Sequence, residues 1–402
     1  GWLAPVAAAA AVLALVATAG AVPSWFAGGT APGDGIGRAT LPDRIAVRDW
    51  PNHFLTASVG DAPAGPAIAL FMQGNGAGMP FSDGKYLVVG AKENSFRRVL
   101  GDRALLSPDG TKVAYADQDW IGVLDLTTGE DHLYQVAGVR LAIPMAWSPD
   151  GRRIAYRELE TWDDRRPVYD RAWGVLDVRS GRSAEHQGKD GIGGAAFAPD
   201  GRLALQDGER VVIVGDDGRE QSAVPVQPDQ LLAGPAAWSP DGKWIATLTA
   251  DENGTGTGPV RTNWVPTPGQ RPERVGMIAG ELGNRTYVTP FLGWRTSESI
   301  LVARTDSRGH TTIVETTGGG LGGRRDRVLA TFDGDPQSDE TSVHDLQLAT
   351  GLLADLGYRD GGGADHGPWP GWLRTLVILL VAVPAALIVW RRRVRAARRT
   401  TS

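Results

Sequence analysis

Apolar and polar positions alternate along short stretches of this chain, and the stretches recur. Lys112-Val113-Ala114-Tyr115, Arg153-Ile154-Ala155-Tyr156 and Lys243-Trp244-Ile245-Ala246 all read with a period of two. A strand turns successive side chains to opposite faces, so this period predicts strands and not helices. A turn signal precedes each stretch. It reads Ser107-Pro108-Asp109-Gly110, Ser148-Pro149-Asp150-Gly151, Ala198-Pro199-Asp200-Gly201 and Ser239-Pro240-Asp241-Gly242, at spacings of 41, 50 and 41 residues. In this motif Pro presets φ for a turn, Asp suits the next position, and Gly takes the left-handed conformation that closes a short hairpin. Leu106, Trp147, Phe197 and Trp238 stand just before the four turns, and Trp294 holds the same place in a decayed copy, 294–299. A side chain fixed at one repeat position is expected to pack between repeats.

A second turn follows the first within each unit. Leu124-Asp125-Leu126-Thr127-Thr128-Gly129 is matched by Leu176-Asp177-Val178-Arg179-Ser180-Gly181. Weaker copies end at Gly218, Gly269, Gly318 and Gly351, and Lys92-Glu93-Asn94 supplies a degenerate first one. A period near 40–45 residues belongs to propellers and solenoids. The expected fold is all-β, a propeller of four-stranded antiparallel blades, six or seven in number, with seven favoured by the count of second turns. The last unit, 344–356, lacks a first half, and 41–59 is expected to supply it, so that strands from both ends share one blade and close the ring.

These motifs resemble the WD40-like propeller repeat of TolB-type domains. The shared pattern is an apolar residue, Ser/Ala-Pro-Asp-Gly, a basic residue and an apolar-Ala pair, then a Leu-Asp-x-x-Thr/Ser-Gly turn. It covers residues of about 65–335. The Gly-His and terminal Trp-Asp signatures of eukaryotic-type WD repeats are missing, and Trp162-Asp163 is expected in a loop. The whole layout is similar to membrane-anchored propeller proteins of high-GC bacteria. The resemblance implies a fold; a propeller scaffold serves many partners.

Both ends of the chain break the alternating pattern. Residues 1–33 carry no charged side chain, and 2–26 form an Ala-rich apolar run. About 20 apolar residues cross a bilayer as a helix, so 1–26 reads as an anchor or a signal segment, with small-residue cleavage sites at 17–21. At the other end, after a Gly-rich linker (361–370), residues 371–390 read GWLRTLVILLVAVPAALIVW and run into a basic tail, 391–402. Arg374 can snorkel to an interface, Pro384 is tolerated in a membrane helix, and Trp369, Trp372 and Trp390 stand where an aromatic belt would lie. The arginines predict a cytoplasmic C-terminus, and so a propeller (41–360) outside the cytoplasm.

Composition changes this picture in three ways. The chain has 402 residues, no Cys, and a net charge of −5. Without Cys there is no disulfide, thiolate nucleophile or Cys-ligated metal. Residues 391–402 hold six Arg and no acid, so removing those six from the −5 leaves −11 on the rest. An acidic body on a basic tail does not fit a nucleic-acid binder. Gly 54 and Pro 26 together make a fifth of the chain, which the recurring turns account for.

Candidate chemistry is sparse. A peptidase of the prolyl-oligopeptidase kind needs a Gly-x-Ser-x-Gly elbow, and none occurs. No two of His53, His132, His186, His310, His344 and His366 lie within five residues of each other. Asp333, Asp335, Asp339 and Glu340 do not match Ca²⁺-loop spacing, and the glycines of 318–323 lack the ending of a phosphate loop. No catalytic, cofactor or metal residue is assigned, and the chain is read as no enzyme. Binding is the expectation, with a protein or small ligand at the propeller mouth. The third unit runs 30 residues from Gly151 to Gly181, against 19 from Gly110 to Gly129. The surplus falls in 158–171, and its aromatics and arginines (Trp162, Arg165, Arg166, Tyr169) are the candidate partner-binding residues; an ordinary charged hairpin extension is the other reading. The repeat-turn residues Asp109, Gly110, Asp150, Gly151, Asp200, Gly201, Asp241 and Gly242 are read as structural. The alternative function is an envelope sensor that couples the propeller to a cytoplasmic anti-sigma-like regulator.

Overall fold

The computed structural model describes residues 38–47, 55–74, 86–136, 139–163, 166–228, 230–249, 261–268, 291–305, 310–318, 325–334, 341–369 and 371–400. The expected N-terminal span, 1–26, lies outside them. The chain divides into two units, Arg38–Pro368 and a second that contains the C-terminal helix.

Residues 38–368 form a six-bladed β-propeller. The second blade runs Asp102–Leu106, Lys112–Asp117, Trp120–Asp125 and Asp131–Gln135, each strand antiparallel to the next. The third repeats this with Ala142–Trp147, Arg153–Asp163, Arg166–Asp177 and Arg182–Gln187. The fourth does so with Ile192–Phe197, Leu203–Asp207, Arg210–Val214 and Glu220–Pro225. In the fifth, three strands are described: Gln230–Leu232, Trp244–Thr249 and Arg261–Pro266. Its first strand breaks at Gly234-Pro235, where Pro has no N–H for the ladder, and pairing resumes at the Trp238–Ile245 bridge. The sixth blade comprises Phe291–Thr296, Ser299–Thr305, Thr311–Thr317 and Arg325–Asp333. First strands of neighbouring blades touch one another, which places them around a central axis.

Ring closure corrects the sequence-based count of seven. Val343–Leu348 is the innermost strand of the first blade, followed outward by Ala67–Gln73, Tyr86–Gly90 and Phe96–Val99. The seventh second turn, at Gly351, is a 3-10 turn (Thr350–Leu352) that follows this closing strand and joins no hairpin. The strand from the C-terminal side therefore completes a blade begun at residue 67, not one begun at 41–59. Thr40–Pro42 instead pairs in parallel with Gly357–Arg359, and Arg44–Ala46 adds a parallel fifth strand to the outer edge of the sixth blade. That edge is thus covered.

The repeat turns form for the reasons their residues suggest. The hydroxyls of Ser107, Ser148 and Ser239 donate to Asp109, Asp150 and Asp241 at 2.7, 2.5 and 2.7 Å, and each accepts the N–H five residues on. Gly110, Gly151, Gly201 and Gly242 have φ of 71°, 66°, 89° and 67°. In the second turns Asp125 and Asp177 each accept from two backbone N–H groups of their own turn. The Ser148 hydroxyl holds Asp150 below the usual carboxylate range, and the Ser180 N–H does the same for Asp177. For Asp125 and Asp241, burial pushes upward, but hydrogen bonds from Thr127 and Ser239 outweigh it and hold both low.

The segment read as a linker binds the first blade through residue 368. Phe96 N–H donates to Asp365 O at 2.7 Å, Arg97 Nη2 meets Asp365 Oδ2 at 2.7 Å, and the His366 ring stacks on Phe96. Arg359 donates to Asn94 Oδ1 and to the carbonyls of Thr40, Gly90 and Glu93, and burial pulls its guanidinium down to about 10.

In the other unit, Gly371–Thr400 is one helix with Pro384 inside it. Ile378, Leu379, Leu380 and Val381 are consecutive and exposed, so apolar surface runs round most of its circumference; Leu387, Ile388, Val389 and Trp390 repeat this. Among the described residues no helix is long and apolar enough to cross a membrane.

Candidate functional site

The two faces of the ring are built differently. Within a blade, the first strand begins, the second ends and the third begins on the same face. The tight Pro-Asp-Gly and Asp-x-x-Thr/Ser-Gly turns therefore share one face, where their polar groups satisfy each other. The connections between second and third strands share the opposite face. The surplus of the third unit lies there.

That surplus is a hairpin. Arg153–Asp163 and Arg166–Asp177 stay paired as far as Asp163↔Arg166, with register shifts after Arg157 and Leu159. Their flanking partners stop at Glu158 on one side and Ala172 on the other. Beyond those points the hairpin continues as two strands. At about 3.3 Å per residue, the five residues after Glu158 extend it by about 16 Å. Trp162 stands opposite Pro167, Arg166 opposite Asp163 and Tyr169 opposite Leu159. Trp162 and Asp163 end a strand, which corrects the expected loop: cross-strand pairing continues through the insertion. Arg165 lies outside the described residues.

Among the described residues, cavities border the blades at the axis, between the third and fourth blades, and, at about 200 Å³, beside Arg44, Asp333 and Asp360. The axial one, about 230 Å³, is lined by first strands of the first, second, third and sixth blades and by Gly234-Pro235-Ala236 of the fifth. Its walls combine Ile143, Pro144, Phe291 and Leu346 with Tyr86, Arg103 and Asp345. Tyr86 Oη donates to Asp345 Oδ2 at 2.9 Å. Gln347 spans the closure, accepting from Leu106 N at 3.0 Å and donating to Ala104 O at 2.8 Å. None of these polar residues belongs to a repeat motif, so the sequence carried no signal for them.

The second cavity, about 380 Å³, lies between the third and fourth blades. The Trp173 and His186 rings meet at 4.6 Å. Arg153 crosses from the third blade to Asp216 at 2.6 Å, to Gly201 O at 3.0 Å and over the Phe197 ring. Arg202 stacks on Trp238 of the next blade in the same manner. This cleft is therefore framed by a latch between blades.

No group of three or more potential metal ligands occurs among the described residues. Of the acidic loop, Asp333 and Gly334 are described, and 335–340 lie outside. Gly318 ends a strand with φ 73°, and 319–323 lie outside. The eight repeat-turn residues sit in turns, as the motif requires.

Strand order and closure define a six-bladed propeller. No family model matches the chain, and no curated protein matches it. Solved structures do. TolB from Acinetobacter baumannii aligns at 16% identity and a TM-score of 0.43, over 70% of this chain and 66% of that one. The dihydro-heme d1 dehydrogenase NirN in complex with DHE aligns at 14% identity and 0.39, over 68% and 57%. A chain of the mitotic checkpoint complex aligns at 12% and 0.38, over 59% and 66%. The chain thus spans less than two thirds of the length of each. At such scores the likeness adds nothing to what the strand order establishes.

Proposed function

We propose that this protein is a membrane-tethered, non-catalytic propeller that serves as a recognition module outside the cytoplasm. The observation that carries the reading is the asymmetry of the ring. Among the described residues, the Pro-Asp-Gly and Asp-x-x-Thr/Ser-Gly turns of one face hydrogen-bond within themselves, and the other face projects the 158–171 hairpin past its flanking strands. Aromatics and arginines on such a projection are the residue types that dominate protein interfaces. What supports the tether is the apolar exposure of Ile378–Trp390 in a helix that continues into six arginines. Membrane capture would remove that surface from water.

A cross-linked pull-down from native membranes tests the module, with the full chain as bait. The triple variant Trp162→Ala/Arg166→Ala/Tyr169→Ala is expected to lose a partner that the wild type recovers. Equal recovery by both would retire the hairpin as the binding surface. Protease shaving of intact cells tests the tether: the propeller should be digested while a C-terminal tag survives.

A further inference from the structure

Three described residues other than glycine have a left-handed backbone: Arg103 (φ 54°), Gln118 (φ 53°) and Asp345 (φ 46°). Gln118 has a local reason, since it sits in the two-residue turn between Asp117 and Trp120. Arg103 and Asp345 have none of that kind. Both fall inside first strands, at register shifts between Asp102 and Leu105 and between His344 and Gln347. A left-handed backbone is disfavoured for a residue with a Cβ, which crowds the following carbonyl oxygen. A bulge re-aims the side chain it carries, and strained backbone gathers at functional sites. These two strands are neighbours in the ring, tied by Gln347, and both bulges put a charged, exposed residue on the wall of the axial cavity. One charge is positive and the other negative.

Tyr86 fixes the negative one, through its 2.9 Å bond to Asp345 Oδ2. The phenol is only 4% exposed. Burial pushes its ionisation upward and the Asp345 carboxylate adds to this, so it stays a donor; Arg103 is near enough to act on it in the opposite sense. The cavity therefore has a zwitterionic edge formed by Arg103 and Asp345, with Ile143, Phe291 and Leu346 as apolar walls. At about 230 Å³ it is smaller than the 300–1,000 Å³ of sites for drug-sized ligands.

From this juxtaposition we propose that the propeller axis is a binding site for a free α-amino acid with an apolar side chain. Arg103 supplies the positive charge that meets its carboxylate. Asp345, oriented by Tyr86, takes its ammonium group, and the side chain lies against the apolar walls. A peptide end offers only one of the two charges at the same carbon, so a free amino acid fits the pair better. The proposal deepens the recognition reading by adding a small ligand at the axis, and it does not involve the hairpin.

The test is isothermal titration of the detergent-solubilised full chain with L-leucine, 4-methylpentanoate and L-leucinamide. L-Leucine is expected to bind, and the two analogues, each lacking one charge, at least tenfold more weakly. Arg103→Gln should abolish the preference for leucine over leucinamide. Asp345→Asn, which keeps a residue that tolerates the left-handed backbone, should abolish the preference over 4-methylpentanoate. Thermal unfolding of both variants checks that the ring is intact. No leucine binding at millimolar concentration by wild type, or equal binding by wild type and both folded variants, overturns the proposal. The hairpin variant Trp162→Ala/Arg166→Ala/Tyr169→Ala should bind leucine as wild type does, so failure here and failure in the pull-down are separate results.

Discussion

Trp147 Nε1 donates to the carbonyl oxygen of Leu105 at 3.0 Å, tying the third blade to the inner strand of the second. The bond recurs one blade on from its acceptor in Trp238 to Ala196 and Trp294 to Ala237, both at 3.1 Å. Each indole is buried and fills space between blades while its N–H finds an acceptor in an inner-strand carbonyl; that of Ala237 also accepts from Ala246 N–H at 2.8 Å. The repeat position is thus held by an indole for two reasons, volume and a donor.

Trp147→Phe separates those reasons. It keeps an aromatic ring but removes the indole donor to the Leu105 carbonyl, which stays paired with Ala114 in the sheet. The expected loss is about 0.5–1.5 kcal/mol, read from denaturant unfolding. Trp147→Ala also opens a cavity and should cost about 3–5 kcal/mol. Equal losses would mean that the hydrogen bond carries the whole effect and the ring volume none; no loss from Trp147→Phe would mean that the hydrogen bond contributes nothing.

Ring closure offers a second test. Gln347 serves Leu106 N and Ala104 O with its two amide atoms. Gln347→Leu has a similar size and pairs with neither. It should destabilise the propeller by about 1–3 kcal/mol for each orphaned group that water cannot reach. A midpoint unchanged in urea would show that the closing strand is held without this side chain, by its ladder to Ala67–Gln73 and by packing.

The turn glycines are alike in sequence and unlike in surroundings. A Cβ on Gly151 would meet nothing within 4 Å, whereas one on Gly110 would lie 2.0 Å from Ala67 O of the neighbouring blade. Gly151→Ala should cost only the left-handed backbone, about 1–2 kcal/mol. Gly110→Ala should cost clearly more, because the turn must also retreat from the first blade. Comparing the two unfolding midpoints decides it.

Acid should act through the turns. Asp125, Asp150, Asp177 and Asp241 are all held below their ordinary value, so each contributes stability that is present above a pH of about 4, the unfolded value. That contribution is lost as pH falls through the lower folded values. Thermal midpoints should therefore hold from neutrality to about pH 5 and decline below about pH 4. Asp150→Asn together with Asp241→Asn should flatten the decline.

The strands and both turn types were legible because each rests on residues close in the chain: a period of two, a Pro-Asp-Gly turn, an Asp that caps its own loop. The blade count was less legible. Seven second turns occur in the sequence, but the Gly351 turn follows the closing strand, and only the pairing of 343–348 with 67–73 reveals it. Nothing in the sequence of 41–59 distinguishes it from a strand source for that blade; its parallel contacts with 357–359 and 331–333 do. The strand position of Trp162 is not legible for a related reason, since whether an insertion continues its hairpin depends on cross-strand register.

The sequence by itself determined the repeat, its strands and its turns, because those depend on backbone preference and on hydrogen bonds made within a few residues. It also determined the charge division between an acidic body and an arginine tail. Only the tertiary structure decided that there are six blades, which strand closes the ring, and which residues meet at its axis. Arg103, Tyr86 and Asp345 belong to no motif and are far apart in the chain. Two bulges in neighbouring inner strands bring them to one wall, and bulge placement depends on pairing between strands that no local pattern records.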